Sequence, residues 1–172
     1  MFWEEDEDKT LPYKAPDDIL DVLFAIQCKT LPLDHAWALS EALQEKLPWI
    51  IEAPDLGIHQ IHVAESANGW MRPDDPTDEL LYPSRRTKLC LRVHKDQLPL
   101  LKQLTGSELS INGHLLAIGK AKNKALINAG VIFSRHVATT ANETEDEFLQ
   151  RMSDEILALC HIKIKKMMCG KS

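Results

Sequence analysis

The run Ile19–Cys28 constrains this chain more than any other stretch, because it is apolar on most of both faces. Val22, Phe24, Ile26 and Cys28 share one side of an extended chain, and Leu23, Ala25, Gln27 and Lys29 share the other. A strand covered on both sides belongs in the middle of its sheet. It feeds directly into Lys29-Thr30-Leu31-Pro32-Leu33-Asp34-His35-Ala36-Trp37-Ala38-Leu39. Asp34 reads as the N-cap of a first helix, its carboxylate near the unpaired amides of the first turn. That places His35 at the first helical position, its ring projecting from a strand-to-helix junction. Leu39, Ala42, Leu43 and Leu47 recur at helical spacing and predict one buried face, and Pro48 stops the helix.

The later elements follow in order. Gly57–Ala64 reads as a second strand. A long aperiodic loop, 65–83, carries Asp74, Asp75, Asp78 and Glu79. Thr87–His94 alternates Leu89, Leu91 and Val93 with Lys88, Cys90, Arg92 and His94, which gives one face against helices and one wet, basic face. A short helix is expected over 97–104, with Pro99 in its first turn and Gly106 past its end. Asn112-Gly113 between Leu109–Ile111 and His114–Ile118 is a hairpin signal. Strand, helix, strand, strand, helix and strand make a split βαβ, or ferredoxin-like, α+β domain over residues 17–122. Gly119–Lys124 reads as a basic linker. The pattern then restarts over 125–172: a strand at 129–139, a capping box at Thr144–Glu147, a helix, and a strand at 161–168. This is half of a second ferredoxin-like unit, so the chain is expected to be an incomplete form of a two-domain protein. Residues 1–16, with an acidic run followed by Pro12 and Pro16, read as disordered.

Charge narrows the partners. The net charge is -6, but Glu4, Glu5, Asp6, Glu7 and Asp8 supply five of the negatives. From Leu80 to Arg135, ten Lys or Arg are opposed only by Asp96 and Glu108. A basic middle with acidic flanks suits an anionic partner at one place. The competing reading is a solvated surface that binds nothing. Ser84-Arg85-Arg86-Thr87-Lys88 leads three cations into a strand that continues with Arg92. Arginine grips phosphate bidentately, and this face lacks the aromatic pairs that stack on bases, so backbone recognition is the expectation. An edge strand charged against aggregation would look similar.

Other classes are excluded or weakly supported. No apolar run approaches the ~20 residues of a membrane span, and the acidic start resembles neither a secretion signal nor a transit peptide, so no membrane contact and a cytoplasmic location are expected. Cys28, Cys90, Cys160 and Cys169 have no Cys-x-x-Cys spacing and read as reduced core or sheet residues. His59-x-x-His62 on a strand would point its rings to opposite faces, so no metal site is expected there. No phosphate-binding loop, dinucleotide fingerprint or nucleophile elbow occurs.

With these residues in view, the chain resembles the CRISPR-associated endoribonucleases of the RAMP superfamily that cut precursor CRISPR RNA in its repeat, in particular the myxobacterial-type subgroup. The matching pieces are Leu31–Ala36, Leu47-Pro48-Trp49, Gly57-Ile58-His59, Ser84-Arg85-Arg86 and Asn112-Gly113-His114, in consistent order between Asp17 and Met168. The resemblance implies tandem ferredoxin-like (RRM-like) domains. It also implies cleavage without metal or organic cofactor, by attack of a 2′-hydroxyl on the neighbouring phosphate. CRISPR repeat RNA is the implied partner, with other CRISPR effector subunits as further candidates. A histidine near the first helix commonly transfers the proton in this family. His35 fits that position, and His59 is the second choice. Lys29, Arg85 and Arg86 are candidates to neutralise the developing charge, and Lys88 and Arg92 to hold RNA. The glycine-rich loop that family members carry near the C-terminus has no counterpart in Met168–Ser172. A non-catalytic RNA-binding subunit and a ferredoxin-like regulatory or ligand-binding module are the competing functions.

Overall fold

The computed structural model describes residues 17–53, 56–65, 69–70, 80–127, 129, 131–132, 137 and 139–169. The chain divides into two compact units, Met1–Asn128 and Ala129–Ser172. The expected disordered segment 1–16 lies outside the described residues, as do most of the loop 65–83 and of the strand expected at 129–139.

In the first unit, β1 (Ile19–Gln27) leads through β2 (Leu31–Pro32) to α1 (Ala36–Lys46). Then come β3 (Gly57–Ile58), the small β4 (Ala64–Glu65) and β5 (Gly69–Trp70) pair, and β6 (Leu80–Leu81). β7 (Lys88–His94), α2 (Leu98–Leu101) between two 3-10 turns, β8 (Glu108–Ile111) and β9 (His114–Ala125) complete it. The main sheet is antiparallel in the order β3-β7-β1-β9-β8. This is the ferredoxin-like strand order with β8 added at one edge. β1 is central, as expected, although only its Leu20, Val22, Phe24 and Ile26 face is buried, Asp21, Leu23 and Ala25 on the other being half-buried.

One sheet face is the core. Leu20, Val22, Phe24 and Ile26 of β1 pack with Leu89, Leu91 and Val93 of β7, Leu116 and Ile118 of β9, and the α1 stripe Leu39, Ala42, Leu43 and Leu47. Phe24 sits at the centre, 1% exposed. Burying such side chains gives roughly 1.5–3 kcal/mol each before entropy is counted. The opposite face carries Asp21, Lys88, Cys90, Arg92 and His94, joined by Lys122 and Lys124 through the pairs Leu23↔Lys122 and Asp21↔Lys124. Asn112 (φ 48) and Gly113 (φ 83) form the tight β8–β9 turn that the Asn-Gly pair predicts.

Several expectations change. His35, not Asp34, is the N-cap of α1, and it makes no side-chain cap bond because its ring is turned toward the preceding loop. The second strand ends at Ile58, since the Ile61 N–H bonds His35 instead of a neighbouring strand. The stretch expected as a basic linker is the second half of β9, which pairs along most of β1 past a bulge near Gly119. Its lysines alternate with alanine and asparagine, so no apolar period announces the strand. Cys28 and Cys90 are half-buried, whereas Cys160 and Cys169 are exposed; all four are free.

In the second unit, α3 (Glu145–Cys160) starts at the expected capping box. The Glu147 N–H donates to Thr144 Oγ1, and the Thr144 N–H to Glu147 Oε2. Arg151 pairs with Glu143 at 2.7 Å and Glu155 at 3.1 Å. Residues 161–168 are not a strand. Alternation of Ile162 and Ile164 with lysines does not make one where no described strand offers a ladder.

Candidate functional site

The junction between β1 and α1 is built by short local bonds. Cys28 Sγ–H donates to the Thr30 carbonyl at 2.7 Å, and Leu31–Pro32 pairs with Leu80–Leu81. His35 closes the junction. It is only 3% exposed, so its ring does not project as expected. Nδ1 lies 2.8 Å from the Pro32 carbonyl and 3.0 Å from the Leu33 carbonyl, so it carries the proton and donates to both. Nε2 then accepts the Ile61 N–H at 3.0 Å. Burial pushes the His35 pKa below its ordinary value, and the two carbonyls and Asp34 push it back by less. The ring is therefore neutral near pH 7 and ties the junction to the segment after β3.

His114 approaches the same place from the start of β9. Its Nδ1 is 2.8 Å from Thr30 Oγ1. Sequence analysis did not place it at this junction, because contacts 84 residues apart leave no periodic trace.

The cations gather at this end of the sheet. Ala25 pairs with Lys88, so the start of β7 lies beside the end of β1 and Lys29 follows it. Arg85 and Arg86 sit at the tip of a turn fixed at its base. Ser84 N–H donates to Thr87 Oγ1, Thr87 N–H to the Ser84 carbonyl, and Arg86 N–H to Ser84 Oγ. Thr87 is buried, while both arginines and Lys88 are exposed. Lys88 Nζ donates to the Arg85 carbonyl at 3.1 Å. Among the described residues, no hydrogen bond or ion pair draws on the guanidinium of Arg85 or Arg86. Tyr82, 62% exposed and just ahead of this turn, offers an aromatic face that the sequence reading overlooked; its place before Pro83-Ser84-Arg85-Arg86 was the available signal.

Arg92 and His59 stand farther along the open face. Arg92 is bound to Asp21 through two bonds, Nε–Oδ1 at 2.8 Å and Nη2–Oδ2 at 3.2 Å, so it is less available for RNA than Arg85 or Arg86. His59 follows β3, with its N–H on the Cys90 carbonyl at 3.1 Å and its Nε2 3.9 Å from Asp21 Oδ1. His35 and His59 are therefore not brought together as a pair: one is in the core side of the junction and the other on the open face.

Comparison with known proteins adds the lineage. A family model described as "Cas6 Crispr" matches residues 20–172. A protein of Myxococcus xanthus (strain DK1622) named "CRISPR-associated endonuclease Cas6" is 31% identical over 140 residues, 81% of this chain and 56% of the relative. The chain thus spans little more than half the length of that curated relative.

Proposed function

The chain belongs to the Cas6 family of CRISPR proteins, and from that premise we propose that it is an endoribonuclease that cuts CRISPR repeat RNA into guide RNAs. The family match over residues 20–172 carries this reading. The exposed cation cluster at one sheet end supports it, since RNA binding draws on phosphate contacts. Arg85 and Arg86 hold the backbone, with Lys29 and Lys88 beside them, and Tyr82 supplies a stacking face.

In the proposed reaction the 2′-oxygen attacks the adjacent phosphorus while its proton passes to a base. The bond from phosphorus to the 5′-oxygen breaks, that oxygen gains a proton, and a cyclic phosphate remains. Neither a metal nor an organic cofactor takes part. His35 is the proposed proton-transfer residue. Its neutral ring is the base-competent form, and Lys29 and the Arg85–Arg86 turn belong to the same end of the sheet. To act, Nε2 must exchange the Ile61 N–H for the RNA hydroxyl, and the absence of regular structure at 59–63 makes that exchange local. His59 is the second reading. Its side chain is 42% exposed and needs no such exchange.

The test is single-turnover cleavage of repeat RNA with EDTA present. His35→Ala should bind RNA within a few-fold of the parent and cleave slower by about two orders of magnitude or more, the usual share of a positioned acid or base. A thermal melt on the same sample checks that the variant is folded. Parental cleavage by folded His35→Ala, with loss in His59→Ala, moves the role to His59. RNA binding without cleavage by the parent chain leaves an RNA-binding subunit.

A further inference from the structure

We propose that Asp21, His59 and Cys90 form a three-ligand site for a divalent ion of the zinc class on the open face of the sheet. The three residues come from adjacent positions on β1, after β3 and on β7. Each offers one ligand atom, and those atoms lie within 4.8 Å of one another. The backbone holds two of them together, because the His59 N–H bonds the Cys90 carbonyl in continuation of the β3–β7 ladder. All three side chains are half-buried, which limits competition from water without closing the site.

The donor set selects the metal. One thiolate, one imidazole and one carboxylate suit zinc, which is four-coordinate in such surroundings; a water completes the set. Zinc-to-ligand distances of about 2.0–2.3 Å put tetrahedral ligand atoms roughly 3.4–3.6 Å apart. His59 Nε2 and Asp21 Oδ1 already stand at 3.9 Å, so small side-chain rotations suffice. Arg92 occupies Asp21 without an ion. The ion would replace the guanidinium at Oδ1, cation for cation, while Arg92 Nη2 keeps Oδ2, now at 3.2 Å. The spacing His59-x-x-His62 does not point to this site, because the other two ligands lie across strands from His59.

Cobalt(II) titration of the reduced chain tests this without RNA. One equivalent should give a thiolate-to-cobalt charge-transfer band and tetrahedral visible absorption, both abolished by added zinc. Cys90→Ser should remove the band, while Cys160→Ser and Cys169→Ser should keep it. Asp21→Asn and His59→Gln should each weaken cobalt binding by at least about 10-fold, since even an outer-shell partner costs that much. Circular dichroism confirms that each variant is folded, and Cys90→Ala replaces Cys90→Ser if the latter is not. The site is overturned by no thiolate band, by a band that follows Cys160 or Cys169, or by unchanged affinity in folded Asp21→Asn or His59→Gln.

Discussion

Both ring nitrogens of His35 are engaged in the folded protein, two carbonyls on one side and the Ile61 amide on the other, and that arrangement suits only the neutral ring. Protonation would turn Nε2 from acceptor to donor against an N–H. The consequence for stability has a definite sign. Burial sets the folded pKa below the ordinary 6.5, so on acidification the unfolded chain takes up its proton first. The stability contributed by His35 is complete above 6.5 and is lost as pH falls from there through the folded value. Urea unfolding about one unit above and one unit below 6.5 should show the parent losing stability on acidification. His35→Gln should start lower by about 1–3 kcal/mol, through imperfectly satisfied buried partners, and should lose less between the two pH values. An equal pH dependence in the two proteins would mean that His35 carries no such linkage.

At the scale of elements, what could be read from the sequence follows from how local each signal is. β1 and the α1 stripe were legible because Val22, Phe24, Ile26 and then Leu39, Ala42, Leu43 each bury a face at the period of their own element. The Asn112-Gly113 turn was legible because it demands positive φ at both positions. The second half of β9 was not, since Lys120, Lys122 and Lys124 form a strand only because β1 supplies the ladder. The cations of the candidate site could be picked out one by one. Their gathering beside Lys29, the burial of His35 and the commitment of Arg92 to Asp21 depend on register and on partners far along the chain. The central strand should also dominate the energetics. Phe24→Ala removes the largest side chain at the middle of the sheet and should cost about 3–5 kcal/mol, read as a fall in the denaturant midpoint. Gly113→Ala, strained at φ 83 but on a turn, should cost only about 1 kcal/mol.

At the scale of the whole molecule, charge is sorted along the sequence. The acidic run lies before residue 9 and the basic stretch lies between 80 and 135. Among the described residues, no helix is long and apolar enough to cross a membrane. The first unit presents Arg85 and Arg86 on a turn held by backbone and hydroxyl groups and by Lys88 Nζ, and among the described residues neither guanidinium is spent on holding the fold. Arg92 differs, because Asp21 already neutralises much of its charge. The two kinds of arginine should therefore separate in a salt titration of repeat-RNA binding. Each phosphate contact on single-stranded RNA contributes about 0.7 to the slope of log K against log salt. Replacing Arg85 and Arg86 together with Ala should weaken binding and flatten that slope by roughly 1.4 if each holds one phosphate. Arg92→Gln should flatten it by much less. An unchanged slope in the double variant would remove this turn from the RNA interface, and a drop in Arg92→Gln as large as that of the double variant would mean that RNA breaks the Asp21–Arg92 pair on binding.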